Sequence, residues 1–153
     1  LLQACILLIV LFSIHLWQTR NVASGPAPPL LGRTLQGDPF DLAAAEGPIL
    51  VHFWATWCPV CRLELGNIDA LHPEYGVITV AMMSGSDGEI LQYLRDKEVD
   101  FPVISDPGGH IASSWGVTAV PASFVLDGQG NIRFTEVGYS TSLGLRARLW
   151  LAQ

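Results

Sequence analysis

Ile49-Leu50-Val51-His52-Phe53-Trp54, followed after Ala55-Thr56 by Trp57-Cys58-Pro59-Val60-Cys61, is the stretch of sequence on which the fold turns. The run from Ile49 to Trp54 is too continuously apolar for a half-exposed strand and predicts a central, buried one. The residues after it predict an amphipathic helix to about His72, with Cys61, Leu65, Ile68 and His72 on one face, so the second cysteine is expected to look inward. Pro59 suits the first turn of that helix, because its missing N–H would be unpaired there anyway. Cys58 then stands at the helix start, where free backbone N–H groups and the helix dipole favour a thiolate. A strand, a tight turn and a helix that deliver a thiol in this way form a dithiol/disulfide exchange centre, which requires Cys58 to be ionised and accessible near neutrality.

Other uses of a Cys-x-x-Cys pair fit less well. Haem attachment requires His directly after the second cysteine, and the residue there is Arg62. A structural zinc site needs four ligands, and the one remaining cysteine, Cys5, lies in the first apolar segment. A purely structural bridge gains most by closing a long loop, whereas this one closes almost nothing.

The chain has 153 residues, enough for one domain with a sizeable core. With 8 basic and 14 acidic side chains its formal charge is −6, and no Lys/Arg cluster offers a nucleic-acid surface. Residues 1–18 read as a single-pass membrane anchor. Leu1 to Trp17 extends ~26 Å as a helix against a hydrocarbon layer of ~30 Å, and upstream residues are expected to supply the rest. Trp17-Gln18-Thr19-Arg20 is a poor cleavage site, which favours retention of the anchor. Residues 19–31, with Gly25-Pro26-Ala27-Pro28-Pro29, read as a semi-rigid spacer, and residues 32–153 as the folded domain.

Within that domain Gly32 to Ala45 holds short strand or turn pieces, and Val77 to Met82 is a second core strand. Ser86-Asp87-Gly88-Glu89 resembles a capping box that opens a helix ending near Lys97. A third strand is expected over Phe101 to Ile104, a short helix over Ile111 to Trp115, a hairpin of Ala122–Leu126 and Asn131–Val137, and a last helix over Leu143 to Leu151. That order predicts an α/β fold with a mixed central sheet flanked by helices.

Phe53-Trp54-Ala55-Thr56-Trp57-Cys58-Pro59-Val60-Cys61, Trp115-Gly116-Val117 leading to Val120-Pro121-Ala122-Ser123-Phe124-Val125-Leu126-Asp127, and Gly130-Asn131-Ile132 together resemble a thioredoxin-like domain. The apolar start, Arg62-Leu63-Glu64 and the segment from Ser86 to Ile104, read as a TlpA-type insertion, resemble the membrane-anchored TlpA/ResA/DsbE family. Gly138-Tyr139 and Gly144 to Ala152 add a likeness to its copper-sensitivity suppressor (ScsD) branch. The resemblance implies a protein of the bacterial inner membrane with its catalytic domain in the periplasm. It also implies protein disulfide substrates, a DsbD-like or ScsB-like membrane electron donor, in some relatives a periplasmic thiol carrier as partner, and no cofactor. Two departures stand out: His52 replaces the buried Asp of thioredoxins, and Ala122 follows the proline where Thr is common.

Under this resemblance Cys58 attacks a partner disulfide and Cys61 resolves the mixed disulfide. Glu64, one helical turn beyond Cys61, or His52, on the strand beneath, could take the Cys61 proton. Pro121 is expected to be cis and to turn the backbone of Val120 toward an extended substrate segment, with Trp57, Pro59 and Val60 lining the same surface. The same chemistry run backwards makes an oxidase. His72, His110, Met82 and Met83 invite a rival reading as a copper-binding thiol chaperone, although their spacing gives no convergent ligand set.

Overall fold

The computed structural model describes residues 22–153 together with Gln3, Ile6, Leu7, Ile9, Val10 and Ser13. The expected anchor over 1–18 and Cys5 thus fall largely or wholly outside the described residues, among which no helix is long and apolar enough to cross a membrane.

Eight strands appear among the described residues: β1 (Gly25–Pro26), β2 (Leu31–Arg33), β3 (Pro39–Asp41), β4 (Ile49–Trp54), β5 (Gly76–Met82), β6 (Val103–Asp106), β7 (Ala122–Leu126) and β8 (Asn131–Val137). Over residues 22–153 the helices are α1 (Pro59–Asp69), α2 (Asp87–Asp96), α3 (His110–Ser114) and α4 (Ser142–Leu151), with a 3-10 turn over Leu42–Ala44. Six strands form one mixed sheet in the order β1-β8-β7-β4-β5-β6, and β2 and β3 form a separate ribbon. β4 is parallel to β5 and antiparallel to β7, and every one of its six residues is buried, as its unbroken apolar run requires.

Because strand side chains alternate, β4 feeds two cores. Leu50 and Trp54 pack with Cys61, Leu65 and Ile68 of α1, with Ile90 and Leu94 of α2, and with Leu145 and Leu149 of α4. Val51 and Phe53 point the other way, toward Trp115 and Phe124. Phe53, Trp115 and Phe124 meet with ring centroids 5.0–5.7 Å apart in tilted and edge-on arrangements. The reactive segment therefore leaves a strand that is clamped on both faces and both edges.

Three boundaries differ from expectation. α1 stops at Asp69 and His72 is exposed, because Pro73 disfavours helical geometry in the residue before it and cannot donate a helical N–H. The third strand begins at Val103, two residues late, since Pro102 has no N–H for a ladder; its carbonyl instead accepts the Thr79 N–H at 2.9 Å. The spacer is docked from Val22 onward. Ala23 N–H donates to Trp115 O and Ala27 N–H to Gly130 O, both at 2.9 Å, β1 pairs with β8, and Leu30 is buried. Val22, Ala23 and Ala27 pack on the second core, so apolar residues scattered among the prolines draw this segment into the domain.

Candidate active site

Parallel pairing of β4 with β5 and antiparallel pairing of β4 with β7 bring the carboxyl ends of β4 and β5 and the start of β7 to one end of the sheet. There Cys58 is the N-cap of α1, with φ −85° and ψ 114°, and the Cys61 N–H donates to its sulfur at 3.1 Å. That places one of the orphan N–H groups of the first turn on the atom that would carry a thiolate charge. Cys58 and Cys61 are disulfide-bonded with Cα atoms 5.3 Å apart. Both are covered, at 3% and 1% exposure, so the first sulfur is less open in this oxidised state than the sequence suggests.

The Val120–Pro121 peptide is cis, and the Val120 carbonyl oxygen lies 3.6 Å from Cys58 Sγ. The Val120 N–H makes no hydrogen bond among the described residues. Pro59 and Val60 form the exposed first turn of α1. Trp57 is 57% exposed, and its Nε1–H donates to Met83 O at 3.1 Å. Met83 holds a left-handed conformation at φ 46°, and the loop after it is tied to the Cys58 turn by Thr56 N–H donating to Ser84 Oγ at 3.1 Å.

Glu64 is fully buried on the face of α1 that also buries Cys61. One carboxylate oxygen accepts the Ser140 N–H at 3.0 Å, and Oε2 has no partner. Desolvation pushes its pKa up to about 7, against the lowering effect of the Ser140 bonds. His52 is buried beside β7, with Nδ1 2.9 Å from Ser123 Oγ across the His52/Ser123 register pair. Burial lowers its pKa to about 3, so the imidazole is neutral throughout the physiological range. Of the two candidate acceptors for the Cys61 proton, only the carboxylate is poised near neutrality.

The lowered value has a measurable consequence. An imidazole that ionises at 6.5 when unfolded and at about 3 when folded contributes stability above pH 6.5 that is lost as pH falls toward 3. His52→Asn removes this dependence. The stability difference between wild type and variant, from urea unfolding, is expected to move by about 2 kcal/mol against the wild type between pH 7 and pH 5. A pH-independent difference would mean that His52 titrates in the fold as it does in the unfolded chain, and a difference that moves in favour of the wild type would mean that it is charged there.

The sequence does not single out Ser123, Ser140 or Asn67, and it marks Met83 only for a copper reading, not for the contact with Trp57. Ser123 carries a weak signal, since it follows Pro121 by two residues and opposes His52, whereas Ser140 lies 76 residues from the carboxylate it serves.

The redoxin family model matches residues 23–146. A thioredoxin-like protein of Haemophilus influenzae is 32% identical over 148 residues, covering 95% of this chain and 88% of that protein. A thiol:disulfide interchange protein DsbE homolog of Paracoccus denitrificans is 40% identical over 102 residues, 64% of this chain and 55% of its own length. Among solved structures, a thioredoxin family thiol:disulfide interchange protein from Chlorobium tepidum superposes with a TM-score of 0.73 at 25% identity, covering 85% of this chain and 97% of that one. With the Cys58–Cys61 bridge at the same end of the sheet as a cis proline, these matches show that the chain belongs to the redoxin family, as a thioredoxin-like oxidoreductase domain of the TlpA/ResA/DsbE kind.

Proposed function

We propose that the protein reduces protein disulfides in the periplasm, held at the inner membrane by the segment over 1–18 and recharged by a DsbD-like or ScsB-like membrane donor. The observation that carries the exchange chemistry is the Cys58 sulfur capping α1 3.6 Å from the Val120 carbonyl. The reducing direction rests on the DsbE-type relationship, and the copper-sensitivity suppressor branch, with α2 and β6 read as the TlpA-type insertion, is the narrower form of the same assignment.

In the reduced protein the Cys58 thiolate attacks one sulfur of the client disulfide, and the other client sulfur leaves as a thiolate. Cys61 then gives its proton to the Glu64 carboxylate, directly or through water, and its sulfur displaces the client from Cys58. The client gains two electrons and the Cys58–Cys61 bond forms. When the Val120 N–H and carbonyl pair with an extended client segment, its cysteine is held over Cys58. His52, neutral and bonded to Ser123, supports the strands beneath without carrying the proton.

A Cys61→Ser variant lacks the resolving thiol and should accumulate mixed disulfides on Cys58 in a periplasmic extract. Recovery of one thiol carrier supports the suppressor-type assignment, and recovery of apocytochromes supports a cytochrome-maturation role. Many unfolded secreted clients, together with a reduction potential near about −120 mV instead of below about −200 mV, would turn the assignment into that of an oxidase.

A further inference from the structure

Ser140 stands in the short loop between β8 and α4, outside every strand and helix, yet both of its backbone groups are bonded, and both bonds go to side chains of α1. Its N–H donates to one oxygen of Glu64, and its carbonyl accepts from Nδ2 of Asn67, each at 3.0 Å. On the helix surface Glu64 neighbours both Cys61 and Asn67, which lie three residues to either side of it. The amide nitrogen of Asn67 also donates to the Tyr139 hydroxyl at 3.0 Å. A carbonyl can only accept, so the nitrogen of that amide and not its oxygen must face Ser140. Beyond this clasp the Ser140 backbone makes no hydrogen bond among the described residues.

The residues on either side are fixed by other means. The Gly138 N–H donates to Pro121 O at 2.9 Å, and the Thr141 hydroxyl caps α4 by accepting the Gly144 N–H at 3.1 Å. Between these two fixed points Asn67 holds the Ser140 carbonyl to α1, one helical turn beyond Glu64. On the carboxyl itself Oε2 is buried and has no partner. Burial and Ser140 are the causes that shift the ionisation of Glu64, and no charged side chain is among them. His52 of β4 is neutral, and Arg146 and Arg148 of α4 pair with Glu74 and Glu136.

We propose that Asn67 is a positioning residue for the resolving step: by holding the Ser140 carbonyl it keeps the Ser140 N–H on one oxygen of Glu64, and so leaves Oε2 to take the Cys61 proton. This role rests on Glu64 being the proton acceptor of the exchange steps above. In the resolving step the S–H bond of Cys61 breaks and its proton passes to Oε2. The freed sulfur electron pair forms the bond to Cys58, and the client sulfur leaves with the electrons of the bond it loses. A hydrogen bond to the ionised carboxyl favours ionisation, so without the clasp Glu64 keeps its proton to higher pH and acts as a base only there.

The test mixes the reduced full chain with dithiobis(nitrobenzoate) in a stopped-flow instrument. Attack by Cys58 releases the first thionitrobenzoate and resolution by Cys61 releases the second, so each trace carries its own control. In the wild type the second phase should show an acid limb near pH 7. N67A should move that limb up by about one pH unit, making resolution about tenfold slower at pH 6 and within about twofold of wild type at pH 8.5, with the first phase unchanged. N67L, similar in size and without a donor, should give the same shift. Y139F removes only the other partner of the amide and should leave the limb in place. A limb that stays put in N67A and N67L overturns the proposal. So does a slowing by the same factor at every pH, the mark of a residue that merely supports the loop, and so does an equal shift in Y139F. If E64Q keeps the wild-type limb, Glu64 is not the acceptor, and the role of Asn67 falls with it.

Discussion

Cys58→Ser is expected to bring disulfide turnover down to the uncatalysed background. A hydroxyl in the N-cap position still accepts the Cys61 N–H, and serine is a favoured cap, so helix α1 and the fold should persist. What disappears is the only sulfur, among the described residues, placed both at the helix end and against Val120. Cys61 cannot substitute for it, because it lies within the helix, on the face that carries Leu65 and Ile68, and not at the cap. Insulin reduction driven by dithiothreitol, followed beside the thermal unfolding of the same samples, checks the point. Substantial turnover in a folded Cys58→Ser protein would move the nucleophile elsewhere.

Glu64→Gln separates the chemical and energetic consequences of a buried carboxyl. Gln can still accept the Ser140 N–H, so the loop remains tied to α1. A carboxyl whose folded pKa is about 7 and whose unfolded value is 4.5 binds more protons when folded between those limits. Its destabilising effect is absent below pH 4.5, grows as pH rises, and is complete above pH 7. At about 1.4 kcal/mol per pH unit, the variant's stability relative to wild type is expected to increase by about 3 kcal/mol between pH 4 and pH 8. Turnover should move the opposite way. If Glu64 accepts the Cys61 proton, the variant loses about 10²-fold in the resolving step at pH 8, and the acid limb of the wild-type profile near pH 7 disappears. Urea unfolding of the oxidised proteins and stopped-flow decay of the mixed disulfide measure the two effects separately. A stability difference that ignores pH means the carboxyl is already ionised in the fold, and an unchanged acid limb removes it from the proton path.

The reactive segment is legible in the sequence because its determinants are local. An unbroken apolar run makes a central strand, Pro59 fits only the opening of a helix, and Cys58 falls at the cap by counting alone. The capping box at Ser86 and the hairpin after Leu126 are equally short-range, and both stand as expected. What sets the chemistry beneath is long-range. Nothing near Glu64 announces that the backbone of Ser140 will bind one of its oxygens and strand the other. Nor does His52 reveal that Ser123 will occupy its Nδ1 and that burial will keep it neutral. The spacer departs from expectation for a related reason. Proline and glycine content describes how a segment behaves alone, whereas Val22, Ala23, Ala27 and Leu30 respond to a hydrophobic surface assembled by residues far along the chain.

That docked arm decides where the polypeptide can be cut. A version trimmed just before Leu31, at the end of the proline-rich stretch, discards Leu30, the strand sealing the outer border of β8, and the backbone bond onto Trp115. The sheet then ends on an unprotected row of amides beside freshly uncovered hydrocarbon, an arrangement prone to sticking edge to edge. A trimmed protein should therefore begin no later than Val22, however loop-like the next nine residues look on paper.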